Sequence, residues 1–260
     1  MITNISLTGK LLASLPIGDV IEVRIGNHWT AVVVEVEGKQ RCGLAATLIE
    51  SHGHSGEPDV PQAGSLEALP ADELTALVHG DRPVLRSVGA AAINALLPKE
   101  GWRWFEKNAE EVIVEEGARK NVVIVGHFPF IARLRKLIDN LIVLEKHPKG
   151  EDFPEGAAPD ILPQADIVAI TGMAFTNGTL EELLGMCSPQ ALIIVLGPST
   201  PISPLLFDYG VNLICGAVVR EIDPVLKAVS QGANFRQVHK AGMSLVTLDE
   251  GSYLPPTESI

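Results

Sequence analysis

The run VVIVGHFPF (residues 122–130) places His127 directly after an apolar stretch that ends in Gly126. An imidazole at the carboxyl end of a buried strand can exchange protons near neutral pH or ligate a metal; its other role there is to cap or pack the turn. Two further polar bends follow apolar runs of the same kind. TGMAFTNGT gathers Thr171, Thr176, Asn177 and Thr179, and GPSTP (197–201) holds the hydroxyls of Ser199 and Thr200 between two prolines that stiffen the backbone. Thr171 closes a strongly apolar run, where a hydroxyl needs a partner. Thr179 reads as a helix N-cap, with Glu182 three residues on completing a capping box, and Asn177-Gly178 as a turn. Cys215 ends a fifth run, where it is either a packed thiol or, as a thiolate, a ligand for a soft metal.

Several familiar chemistries are disfavoured. The bend at Gly126 has Phe128 and Ile131 where a dinucleotide fingerprint needs glycines, and Pro129 removes an N–H that would greet a phosphate. Glu145, about twenty residues on, keeps only the ribose-binding half of that pattern. Ser199 lacks the G-x-S-x-G elbow of a nucleophile. Cys42, Cys187 and Cys215 are far apart with no CxxC pair, which gives neither a disulfide framework nor a zinc ribbon. His52 and His54 sit in a glycine-rich loop without a third ligand nearby.

The elements that must carry these bends fall into two rhythms. Residues 19–26, 29–38 and 41–49 alternate or run apolar with a tight turn at Asn27-His28, predicting an antiparallel meander. Residues 71–80 and 84–99 have helical spacing, the second with the small run Gly89 to Ala92. From residue 121 the pattern is strand, turn, helix, repeated: strands at 121–126, 140–145, 166–172, 191–197, 211–216 and 244–248, helices at 129–139, 179–187, 203–209 and 221–231. Near-continuous apolar strands mean a parallel sheet covered on both faces. Ser203-Pro204 starts a helix, and Gly210 and Gly232 stand where helices end. The stretch 147–165, with four prolines and three acidic clusters, replaces a crossover helix and is either an insertion or a functional loop. The reading is an α/β protein: a smaller α+β domain over 1–100, a linker over 101–120 and a parallel-sheet domain over 121–260. If the second strand of that sheet lies on one side of the first and the later strands on the other, the bends after Gly126 and Thr171 face each other across the reversal, where ligands bind.

Hydrophobic residues make up 46% of the chain and charged residues 20%, which fits a well-buried fold and excludes disorder. The net charge of -12 repels phosphate backbones and anionic lipid, so nucleic acid and membrane are not expected partners. The apolar segment near the N-terminus is too short for a signal peptide or a span, which predicts a cytoplasmic protein.

Taken together, SVGAAAINALLP (87–98), VVIVGHFPFI (122–131), DILPQADIVAITGMAFTNGTLEELL (160–184) and LGPSTPISPLLF (196–207) resemble the heavy-metal chelation family of bacterial and archaeal proteins. The resemblance implies an enolase N-terminal-like domain followed by a Rossmann-like domain, with a site at their interface. It adds Asn94 to the positions of interest, beside His127, Thr171, Asn177, Thr179, Ser199 and Thr200. An amide inside that apolar helix should hydrogen-bond across a contact, toward the second domain or to another helix. The expected function is binding of a metal complex or small ligand between the domains, with His127 and Cys215 as metal ligands. One histidine among neutral groups suits a transition metal that arrives with ligands of its own, since a bare ion wants three or four strong donors. A small-molecule enzyme using a nucleotide-type cofactor, NAD or adenosyl, is the alternative, and a homo-oligomer is allowed.

Overall fold

The chain, represented by a computed structural model, is described here for residues 5–49, 57–99, 101–105 and 109–252. After a short helix α1 (Leu7–Ala13), the β-branched runs form β1 (Asp19–Ile25), β2 (Trp29–Val36) and β3 (Lys39–Ala46), an antiparallel sheet in that order. Between β2 and β3, Glu37 and Gly38 both take positive φ (53° and 72°), as the two-residue turns that match strand twist require. Alternation sends Val32, Val34 and Val36 to one face and Ala31 and Val33 to the other, and both faces are buried.

The first face packs on α3 (Pro83–Leu96), preceded by α2 (Ala71–Ala76) and a 3-10 turn at Leu77–His79. Helix α3 opens with a proline in its first turn and stops before Leu97, because Pro98 pushes the preceding residue out of helical geometry. Its small residues do what the sequence suggested. A side chain at Gly89 would strike the backbone of Val78, and one at Gly43 on β3 would strike the backbone of α3 at Ala91 and Ala95. Sheet and helix therefore lie backbone to backbone.

After α4 (Ala109–Glu116) the second sheet begins: β4 (Asn121–Val125), α5 (Ile131–Leu134), β5 (Asn140–Glu145), β6 (Phe153–Pro154), α6 (Ala158–Ile161), β7 (Ile167–Thr171), α7 (Met173–Asn177), α8 (Leu180–Met186), β8 (Leu192–Leu196), β9 (Leu213–Val219), α9 (Ile222–Ser230), α10 (Phe235–Lys240) and β10 (Met243–Asp249). Its order is β10-β9-β8-β7-β4-β5-β6, parallel except for β10 against β9. The chain winds outward from β4 in one direction through β5 and then in the other from β7, so the reversal lies between β4 and β7, where it was expected. Val123, Val125 and Ile170 face a core shared with α1, β2 and α3, whereas Val122, Ile124 and Ala169 face α4 and α5. The first sheet's other face is covered by α9 and α10.

Several expectations change. The stretch 147–165 is built: it forms the edge strand β6 and α6 between 3-10 turns, and buries Ala158 and Leu162. The helix predicted over 129–139 is one turn, α5, followed by bends, and that predicted over 203–209 is a 3-10 helix over Pro204–Tyr209, with the Ser203 hydroxyl accepting from the Leu205 N–H as an N-cap. The N-terminal apolar segment belongs to α1, whose Leu7 N–H donates to Glu181 Oε2 at 2.8 Å. The capping box at Thr179 does not form. The left-handed Gly178 (φ 76°) delivers Thr179 in helical rather than extended geometry (φ -102°, ψ -5°), and its hydroxyl makes no cap bond.

Candidate functional site at the strand ends

Parallel register sets β4, β7 and β8 level, with Val125 beside Ile170 and Thr171 beside Leu196, so their three bends leave from one edge of the sheet. They touch in sequence. Gly126, at φ 102°, has room for no side chain because a Cβ there would lie 2.9 Å from the Thr171 side chain. Gly172 lies against the backbone of Thr200 with the same effect.

At the first bend the His127 side chain is half exposed, and its Nδ1 lies 3.2 Å from Asp152 Oδ2. Asp152 itself is buried, with 1% of its side chain exposed. Its carboxylate accepts from Arg135 Nη2 at 2.9 Å and from the Lys149 N–H at 3.2 Å. Arg135 also holds Glu151 at 3.0 Å. A carboxylate only accepts, so Nδ1 is the donor in this contact and Nε2 is left out of it. Phe128 and Phe130 stack at 5.1 Å and pack toward α4 and α5, which fixes the bend. Arg135, which follows α5 directly, is this carboxylate's partner. Asp152 escaped the sequence reading because it lies in the proline-rich stretch, whose only signal was its length.

The second and third bends are buried against the N-terminal lobe. Ser199 is 2% exposed and its Oγ accepts from the Ala46 N–H at the end of β3 at 2.8 Å. Asn94 is 7% exposed; its Nδ2 donates to Leu44 O at 2.9 Å and, more weakly, to Ser199 O at 3.4 Å. The amide on α3 thus reaches both the first sheet and the proline-stiffened bend. Thr171 Oγ1 accepts from the Met173 N–H at 3.3 Å, and Asn177, half-buried, ends α7. Four polar atoms here are buried without a hydrogen-bond partner among the described residues: Asn94 Oδ1, Thr176 Oγ1 and Thr200 Oγ1, and Nε of Arg86 on α3. Arg86, Ala90 and Asn94 are four residues apart, hence on one face of α3, and α7 packs against that helix. At the far end of α7 the Arg86 guanidinium lies against Gly178, with Nη2 2.8 Å from where a Cβ would stand. Thr176 is among the polar residues of TGMAFTNGT, whereas Arg86 drew no notice in the sequence; the α3 spacing from Asn94 could have singled it out.

Cys215 is brought to none of this. Alternation turns it to the opposite face of the sheet, toward α4 and α5, where the Thr247 hydroxyl donates to its sulfur at 3.4 Å. Its strand is three places from that of His127, about 14 Å at the usual spacing. Burial pushes the Cys215 and Cys187 thiols up to about 11 and the Cys42 thiol up to about 12, so all three are protonated at neutral pH. Among the described residues no group of three or more His, Cys, Asp or Glu side chains is placed to hold a metal ion. His52 and His54 lie outside the described residues. Glu145 uses one carboxylate oxygen to accept the N–H of Lys146 at 2.8 Å. Neutral oxygens and protonated thiols do not fit a naked heavy-metal ion. Among the described residues no helix is long and apolar enough to cross a membrane.

Two family models, both described as "Putative heavy-metal chelation", match the chain, one over residues 10–97 and the other over residues 108–247. The chain belongs to this family. An uncharacterized protein of Methanocaldococcus jannaschii is 28% identical over 219 residues, 80% of this chain and 81% of the relative. The crystal structure of a protein of unknown function from the DUF364 family of Desulfitobacterium hafniense superposes with a TM-score of 0.79 at 26% identity, covering 94% of this chain and 97% of that one. A DUF364 protein of Pyrococcus horikoshii, 20% identical, shares the fold at a TM-score of 0.74, over 94% of this chain and 98% of its own.

Proposed function

We propose that this family member binds a small polar molecule, free or as the organic shell of a metal complex, where the bends after β4, β7 and β8 meet α3. One observation carries the reading: Asn94 Oδ1, Thr176 Oγ1 and Thr200 Oγ1, from three separate elements at one junction, are buried without partners. Leaving such a group unsatisfied costs about 1–3 kcal/mol. Three of them together amount to a large part of the roughly 5–15 kcal/mol by which a protein is stable. A fold that retains them has a partner for them that it does not itself supply. Two hydroxyls, each donor and acceptor, and one amide oxygen suit the hydroxyl, amide or carboxyl groups of an organic molecule. A metal is accommodated only with ligands of its own, which is how the family description and the donor set agree.

The test is to purify the protein without chelators, unfold it, and identify what is released by mass spectrometry and elemental analysis. The wild type should release an organic molecule in near-stoichiometric amount, with or without a metal. A double variant Thr176→Val and Thr200→Val, matched in shape but without the hydroxyls, should release far less. Ordered water satisfying all three atoms is the competing outcome, recognised by equal and empty release from both proteins. Release of a metal alone, in equal amount from both, would overturn the reading.

A further inference from the structure

Resting on that reading, we infer that the bound molecule carries an anionic group, a carboxylate or a phosphate, received by Arg86 at the Gly178 end of the seam. The chain has 20 Lys and Arg against 32 Asp and Glu, so acids are in excess and cations are readily paired. Four of the nine other arginines show it: Arg133 pairs with Glu110 at 3.2 Å, Arg135 with Glu151 and Asp152, Arg82 with Glu57 at 2.6 Å, and Arg24 with Glu22. Arg86 does not. It is half-buried on α3, its Nε is fully covered, and no acid among the described residues pairs with it.

Its position gives that vacancy a direction. Arg86 shares the face of α3 that carries Asn94 two turns on, and its guanidinium rests on Gly178, a bend residue with no side chain to displace it. The left-handed conformation of Gly178 (φ 76°) keeps that space open, since other residues adopt it at a cost. The remaining unpartnered groups, Asn94, Thr176 and Thr200, are neutral, so Arg86 is the one charge available to a ligand along this line. A planar fork of N–H donors is matched by the paired oxygens of a carboxylate or phosphate. The eight residues from Arg86 to Asn94 span about 12 Å of helix. The molecule implied is elongated, acidic at one end and hydroxylated or carbonyl-bearing at the other.

Calorimetric titration of the full chain with inorganic phosphate and, separately, with succinate tests this. Wild type should bind at least one of them saturably, and the preferred anion identifies the source of the charge. Arg86→Gln should weaken that binding by about tenfold or more, and Arg86→Lys, which keeps the charge and loses the fork, by less. Both variants should keep the wild-type melting temperature or exceed it, because an unpaired buried N–H is removed; if Arg86→Gln does not fold, Arg86→Lys carries the comparison. Wild type that binds neither anion, or binding that Arg86→Gln leaves unchanged, overturns the inference. The two claims part at the released molecule. A neutral compound recovered from wild type removes the anion and leaves the interface reading, whereas no compound and no anion binding removes both.

Discussion

The His127 bend and the Arg86–Asn94 seam occupy the same end of the large sheet and are built in opposite ways. At the bend, a buried carboxylate, an arginine and an imidazole satisfy one another, and the side that stays free faces solvent. Along the seam, four covered polar atoms are left without partners among the described residues. A conspicuous histidine can therefore belong to a completed network that mainly holds a loop, while plain threonines and an asparagine mark where something is missing. Conspicuous chemistry and unfinished chemistry are different signals.

The contrast can be broken at its strongest point by closing space. Gly172→Ala would drive a methyl into the backbone of Thr200 and part the second and third bends. We expect a loss of about 3 kcal/mol in stability by denaturant unfolding; a loss below about 1 kcal/mol would mean that the seam is loose rather than closed. Asp152→Asn attacks the other region. It leaves Arg135, 27% exposed, without its buried charge partner and should cost about 1–3 kcal/mol, with loosening of residues 147–165 seen by hydrogen exchange. Next comes a matched pair inside the seam. Ser199→Ala deletes the acceptor of the Ala46 N–H and should cost about 1 kcal/mol, whereas Thr200→Val, which removes a hydroxyl bonded to nothing, should be neutral or stabilising in ligand-free protein. Equal losses would show that Thr200 already has a partner.

The smallest effect is on pH. The Cys42, Cys187 and Cys215 thiols have folded values near 11 to 12, above the ordinary value of about 8.5. The unfolded chain therefore loses these protons first as pH rises, and the stability present below pH about 8.5 drains away toward pH 11 to 12. Unfolding midpoints at pH 8 and pH 10 should fall in that order, and Cys42→Ala should flatten the slope.

Local patterns carried most of the fold. Period-two alternation marked the meander, and unbroken apolar runs marked the parallel strands within one to three residues, because burial on one face or two is written in which positions are apolar. The reversal between β4 and β7 was conditional on a strand order that local patterns do not set, and the observed order meets that condition. Side-chain partners across long separations were not legible. Asp152 reaches His127 from a segment without periodicity, and Arg86 looked like any arginine on a helix until its lack of a partner was visible. Thr179 failed as a cap because the glycine before it, itself read correctly as a turn residue, set the wrong backbone angles. Cys215, expected at the carboxyl end of its strand, is instead the third residue of β9 (Leu213–Val219), and one residue of alternation decides which face it serves.

The cover that α9 and α10 provide for the first sheet has a consequence for synthesis. When roughly the first hundred residues leave the ribosome, Ala31, Val33 and Leu44 have no lid, because it is encoded more than a hundred and fifty residues further on. That apolar surface is the kind that draws nascent chains together. A fragment ending before α9 should stick to itself or to chaperones, and a nonsense mutation late in the gene should be nearly as damaging as one early in it.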